Sequence, residues 1–177
     1  MDGTVVLIAV ILVICVAFYI LFIQDDTVSF PASNGFEYKV YAKRPDSSKR
    51  KAADILAELD DRVEKLLASP DDAYQADIKK HFSGTELREN LTEAYTLGKG
   101  TKIYLDLTPG KGDDGFYPID LLMFVLIHEI SHIAVPHDGH DQKFWNIFNK
   151  LLDKATNMGL YEPIHGTFDY SGQHFEL

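Results

Sequence analysis

The chain has 177 residues, 46% of them hydrophobic and 25% charged, with 27 acidic against 17 basic side chains. That composition specifies one ordinary folded domain with additions and excludes disorder throughout. Setting aside Asp2, the only charged residue before Asp25, the remaining 26 acids and 17 bases leave a net charge of −9, so no basic domain exists to hold a phosphate backbone and no nucleic-acid partner is expected.

The single cysteine, Cys15, lies in an apolar run and excludes a disulfide scaffold. That run, Thr4 to Ile23, is 20 residues without a charge, long enough at about 1.5 Å per residue to cross the roughly 30 Å hydrocarbon core of a bilayer. No Lys or Arg precedes it and no A-x-A site follows it, so it reads as an uncleaved single-pass anchor with the lipid bilayer as partner. Residues 24–35 are polar, contain Pro31 and Gly35, and read as a tether. Phe36 to Lys43 is rich in aromatic residues and reads as a short strand. Behind Pro45 and Asp46, residues Ala53, Leu56, Leu59, Val63, Leu66 and Leu67 recur at three and four, predicting a helix from Ser47 to Ala68 with one buried stripe. Ser69-Pro70-Asp71-Asp72 supplies an N-cap, a proline at the first helical position and first-turn acids for a second helix ending near Phe82. A third helix is expected over Thr85–Tyr95.

Gly98-Lys99-Gly100 then leads into Thr101–Leu107, where Ile103, Leu105 and Leu107 alternate with Lys102, Tyr104 and Asp106. This predicts a strand, whose edge could take an extended peptide. Pro118 opens a helix from Ile119 to Val135 that is apolar enough to be buried nearly all round. Asp141 can cap a last helix, Gln142 to Met158, ended by Gly159.

The buried helix contains His128-Glu129-Ile130-Ser131-His132, an H-E-x-x-H string. A spacing of four puts both imidazoles on one helix face, where both can bind a zinc ion while Glu129 stands beside the open coordination position. Composition alone yields such a string about one time in a hundred, so its surroundings must add weight. They do: two histidines and a glutamate buried among Leu121, Leu122, Phe124, Val125, Leu126 and Ile127 cost several kcal/mol unless a metal or hydrogen bonds satisfy them. A catalytic zinc needs a third protein ligand, and the candidates are His137, Asp138 and His140. Metzincin spacing points to Asp138, but the glycine of that pattern is replaced by Val135. Gly139, which lets the chain turn back, slightly favours His140.

The stretch HEISHIAVPHDGHDQKFW resembles the zinc metallopeptidases of the WLM and SprT-like group, in which a third histidine sits in an H-x-x-x-F context with Trp next, here His140 to Trp145. The resemblance runs from about Leu97 to Gly172 and is closest to metallopeptidases of large DNA viruses, where the third histidine also follows a P-x-x-G-H stretch. It implies an α+β, zincin-like domain over residues 36–177, with helices packed on a short sheet, behind the anchor at 4–23 and the tether at 24–35. It also implies His128, His132 and His140 as zinc ligands and Glu129 as general base, acting on a peptide or protein substrate. Tyr170 is a candidate donor to the oxyanion. The viral likeness brings capsid or other virion proteins into view as partners, and a virion or host-cell internal membrane as the location. The rival reading is a membrane-anchored structural protein that keeps the zinc-bound fold without catalysis; the presence of Glu129, which such a site does not need, argues against it.

Overall fold

The spacings resolve into an α+β domain in the computed structural model, which describes residues 26–110, 115–135 and 139–176. Strands β1 (Thr27–Pro31), β2 (Glu37–Tyr41), β3 (Glu86–Asn90), β4 (Tyr95–Leu97) and β5 (Lys102–Asp106) form one sheet in the order β1-β2-β3-β5-β4. The inner strands β2, β3 and β5 run parallel, while β1 and β4 close the edges antiparallel to their neighbours. Helices α1 (Asp46–Leu67) and α2 (Ala73–Phe82) connect β2 to β3, and α3 (Ile119–Ile133) and α4 (Gln142–Asn157) follow β5. A separate antiparallel hairpin, β6 (Thr167–Tyr170) and β7 (Gln173–Glu176), comes after α4.

Helix α1 buries the stripe read from its spacing, Leu56, Leu59, Val63, Leu66 and Leu67 among others, against the sheet and the remaining helices. Helix α3 is the hub. Leu121, Leu122, Met123, Leu126, Ile127 and Ile130 are buried between α1, α2, α4 and strands β4 and β5, which is why this segment is apolar on every side. Asp141 caps α4, its carboxylate accepting the Phe144 N–H at 2.9 Å, and Gly159 leaves the helix at φ 66°, the left-handed geometry a helix C-terminus favours.

Several expectations give way. The transmembrane helix is corrected first: no helix among the described residues is long and apolar enough to cross a membrane, and residues 4–23 lie outside the described residues. The apolar helix within them, α3, has 15 residues and is covered by protein. Within the stretch read as a tether, Thr27–Pro31 pairs with β2 along its whole length, with Pro31 at the end of an edge strand, where its missing N–H costs the ladder nothing. Helix α2 begins three residues later than its Ser-Pro signal, because Asp72 takes the cap and accepts the Gln75 N–H at 2.9 Å. The Ser69 carbonyl is occupied by Lys154 Nζ instead.

The expected helix over Thr85–Tyr95 is instead strand β3 and the turn leading to Tyr95, the first residue of β4. Its Glu, Leu and Arg residues favour a helix locally, but β3 lies inside the sheet between β2 and β5. Its charges are matched there by distant partners. Glu89 accepts from the Arg44 guanidinium and from the Tyr41 N–H at 2.7 Å, and Arg88 lies over the Tyr104 ring. Strand β4 covers the outer side of β5, so the predicted strand Lys102–Leu107 is not an edge. The β4–β5 turn contains Gly98, Lys99 and Gly100, all at positive φ. A Cβ on Gly100 would stand 2.5 Å from Ile133 Cδ1, so the turn reaches the end of α3 only because that residue has no side chain.

Candidate active site

Two elements bring the imidazoles together. Helix α3 presents His128 and His132 from successive turns, and the residue before the α4 cap, His140, returns to the same point. His128 Nε2 lies 3.0 Å from His140 Nε2 and 3.4 Å from His132 Nε2, and the ligand atoms of all three lie within 4.8 Å of one another. Nitrogens bound at about 2.0–2.1 Å in a tetrahedron stand roughly 3.3 Å apart, so the spacing fits a zinc-sized ion. Burial, then the proximity of His132 and His140, pushes the His128 pKa down to about 4, keeping the ring in the neutral form that donates to a metal. His137 and Asp138, the other candidates for third ligand, lie outside the described residues.

Phe144, fully buried in the first turn of α4, packs against all three rings, with centroids 4.9 Å from His128, 4.5 Å from His132 and 4.6 Å from His140. The aromatic position of the H-x-x-x-F pattern is thereby explained: one turn beyond the capped N-terminus, it forms the floor of the triad. Trp145 flanks His140 at 5.7 Å and is 42% exposed.

Glu129 is buried on α3 beside the triad. Burial raises its carboxyl pKa to about 7; the Thr96 hydrogen bond opposes that rise and nearby Glu93 adds to it. Thr96 Oγ1 stands 3.0 Å from Glu129 Oε2 and 3.1 Å from the Glu129 carbonyl oxygen. The second residue of H-E-x-x-H is therefore tied to strand β4, a contact that sequence reasoning missed because three residues are too few to show a period.

A cavity of about 750 Å³ joins these groups. Residues 93–99, including all of β4, line it together with Phe124, Val125, His128, Glu129, His132, His140, Trp145, Tyr170 and Ser171. Tyr170 reaches it from the tip of the β6–β7 hairpin. Its hydroxyl oxygen accepts the Asp106 N–H at 2.9 Å, and Asp106 Oδ2 in turn accepts the Ser171 hydroxyl at 3.1 Å. Ser171 and Gly172 turn the hairpin at φ 50° and 76°, as a two-residue turn between twisted strands requires. Burial raises the Tyr170 pKa well above that of a free phenol, so the proton stays on.

Histidines converging from an H-E-x-x-H helix and a following loop, a buried glutamate and an adjoining edge strand define a metallopeptidase-type centre. Residues 35–176 match the WLM domain, and the chain belongs to this family of zinc metallopeptidases. Protein R325 of Acanthamoeba polyphaga mimivirus is 27% identical over 92% of this chain and 89% of its own length. Protein 136R of Invertebrate iridescent virus 6 is 41% identical over 71 residues, 40% of this chain and 39% of its own length. The DNA-dependent metalloprotease WSS1 of Saccharomyces cerevisiae is 24% identical over 77% of this chain. The chain thus spans about two fifths of the iridescent virus protein and 49% of the yeast protein. The crystal structure of a Wss1 mutant from Saccharomyces cerevisiae shares the fold, with a TM-score of 0.54 at 24% identity over 69% of this chain and 92% of that one.

Proposed function

We propose that the protein is a zinc-dependent endopeptidase that hydrolyses peptide bonds in extended protein segments. The observation that carries this reading is the convergence of three imidazole nitrogens beside Glu129 on one cavity wall. A set of three neutral imidazoles is the donor chemistry of a catalytic zinc site, whereas structural sites use four ligands rich in cysteine, and the sequence after Cys15 has no cysteine. His128, His132 and His140 would hold the ion, which supplies Lewis-acid activation of water.

Glu129 serves as general base, taking a proton from the attacking water and passing it to the leaving amine. Its carboxyl, raised to about 7, is matched to proton transfer near neutral pH. The buried Tyr170 phenol keeps its proton and can donate a hydrogen bond to the oxygen of the tetrahedral intermediate. Strand β4 offers its open backbone edge to an extended substrate. The net charge of −10 opposes non-specific attraction to a phosphate backbone.

Full-length protein should carry one zinc per chain and cleave unfolded casein at a rate unchanged by added single-stranded DNA. His128→Ala and His132→Ala should lose most of the metal, because two remaining ligands cannot complete the site. His140→Ala should impair zinc binding far more than His137→Ala; equal or reversed effects would move the third ligand. A zinc-loaded protein inert on many unfolded substrates would refute the enzymatic reading in favour of a structural protein.

A further inference from the structure

We propose that Thr96 is a positioning residue that fixes the carboxylate of Glu129 to the strand on which substrate docks, an inference that rests on the peptidase reading above. Thr96 is the central residue of β4, paired with Ile103 of β5 on its inner side, and it lines the cavity that also contains Glu129 and the three histidines. Its hydroxyl lies 3.1 Å from the Glu129 carbonyl oxygen and 3.0 Å from Oε2. One side chain therefore reaches both ends of the glutamate, its single hydroxyl proton shared between the backbone carbonyl and the carboxylate. A glutamate has three side-chain torsions, and each one left free multiplies the unproductive orientations of its carboxylate. Bonding at Oε2 removes that freedom, and among the described residues Oε1 accepts no hydrogen bond.

The placement has a second consequence. Helix α3 and strand β4 lie in contact, and a hydroxyl shared between two oxygens of one residue fixes how they sit. A peptide paired along the outer edge of β4 is thereby held at a fixed distance from the base. The register of the substrate and the position of the carboxylate are set by the same residue.

Thr96→Val keeps the branched shape and removes only the hydroxyl, and Thr96→Ser keeps the hydroxyl. In full-length, zinc-loaded protein, Thr96→Val should lower kcat for casein-derived peptides between about tenfold and a hundredfold, the range for a hydrogen bond to a charged group. KM should stay within about twofold, and Thr96→Ser should restore most of kcat. A Thr96→Val enzyme with wild-type kcat, or a Thr96→Ser enzyme equally impaired, would overturn the assignment. A crystal structure of Thr96→Val tests it independently of turnover: Glu129 Oε2 should leave its position, and an unmoved carboxylate would overturn the proposal. If the wild-type protein cleaves nothing, the peptidase reading fails alone, and a displaced carboxylate in Thr96→Val still supports positioning.

Discussion

Glu89 on β3 and Glu129 on α3 are both buried, 1% and 7% exposed, yet their surroundings are opposites. Glu89 meets a full positive charge. The Arg44 guanidinium bonds its Oε1, the Tyr41 N–H bonds its Oε2, and Arg44 is itself held by the Thr108 hydroxyl and the Phe116 ring. None of these residues lines the cavity that holds the histidines. Glu129 has a neutral hydroxyl for a donor, three imidazoles beside it and an opening of about 750 Å³ in front. A buried acid matched by a cation serves the architecture. A buried acid without one, left facing a cleft, is available for proton transfer.

The largest expected effect breaks the cleft side of this contrast. Glu129→Gln has the same shape and no coordination duty, so zinc content and Tm should stay near wild type while kcat falls by about 10²–10⁴. An unaltered cleavage rate in that variant would refute Glu129 as the base. On the closed side, Arg44→Met leaves Glu89 buried without its cation. It should destabilise the domain by about 3–5 kcal/mol, which lowers Tm by roughly 10 °C or more in a chain of this size. Adding Glu89→Leu should recover most of that loss in thermal melts, since an apolar pair of similar volume has no desolvation penalty to meet.

A smaller effect separates the floor of the triad from its ligands. Phe144→Leu keeps an apolar side chain but removes the ring packed against all three imidazoles, and zinc affinity measured by competition with a chelator should weaken by about 10- to 100-fold. The smallest effect sharpens the comparison with a third acid. Asp60 on α1 accepts the Tyr38 hydroxyl at 3.0 Å, and burial, despite that bond, raises its pKa above the usual carboxylate value. Because the folded pKa is the higher one, ionising this group costs stability as pH rises from below the unfolded value, near 3.9, through the folded one. Asp60→Asn should therefore raise Tm slightly at pH 7 and leave it unchanged near pH 3. Burial raises the pKa at both sites against the hydrogen bond of a neutral hydroxyl, and both acids line a cavity; the three imidazoles distinguish Glu129.

The sequence makes one half of this contrast visible and hides the other. H-E-x-x-H, the apolar helix around it, the stripe of α1 and the Asp141 cap all depend on residues within a turn or two of one another, where spacing carries the information. The Arg44–Glu89 pair joins positions 45 residues apart, and without its partner the segment Thr85–Tyr95 looks like a polar helix. Strands β1, β4 and β6 have five, three and four residues, too short or too polar to announce themselves. The Ser171–Gly172 turn was the available cue to the last hairpin. Thr96 carries no motif, since its role depends on where a neighbouring strand lies against a helix.

Gly100 shows how far from the chemistry that clearance is set. Gly98 and Lys99 of its turn line the cavity while Gly100 itself does not, yet its missing methyl lets the turn sit close against Ile133 at the end of α3. Gly100→Ala would act as a shim between sheet and helix. It would push apart the two surfaces that Thr96 bridges, four residues away, and in a left-handed conformation that already disfavours a side chain. The tolerance of the machine is thus recorded at a position that a search for reactive groups passes over, in the one amino acid that contributes nothing but the space it does not fill.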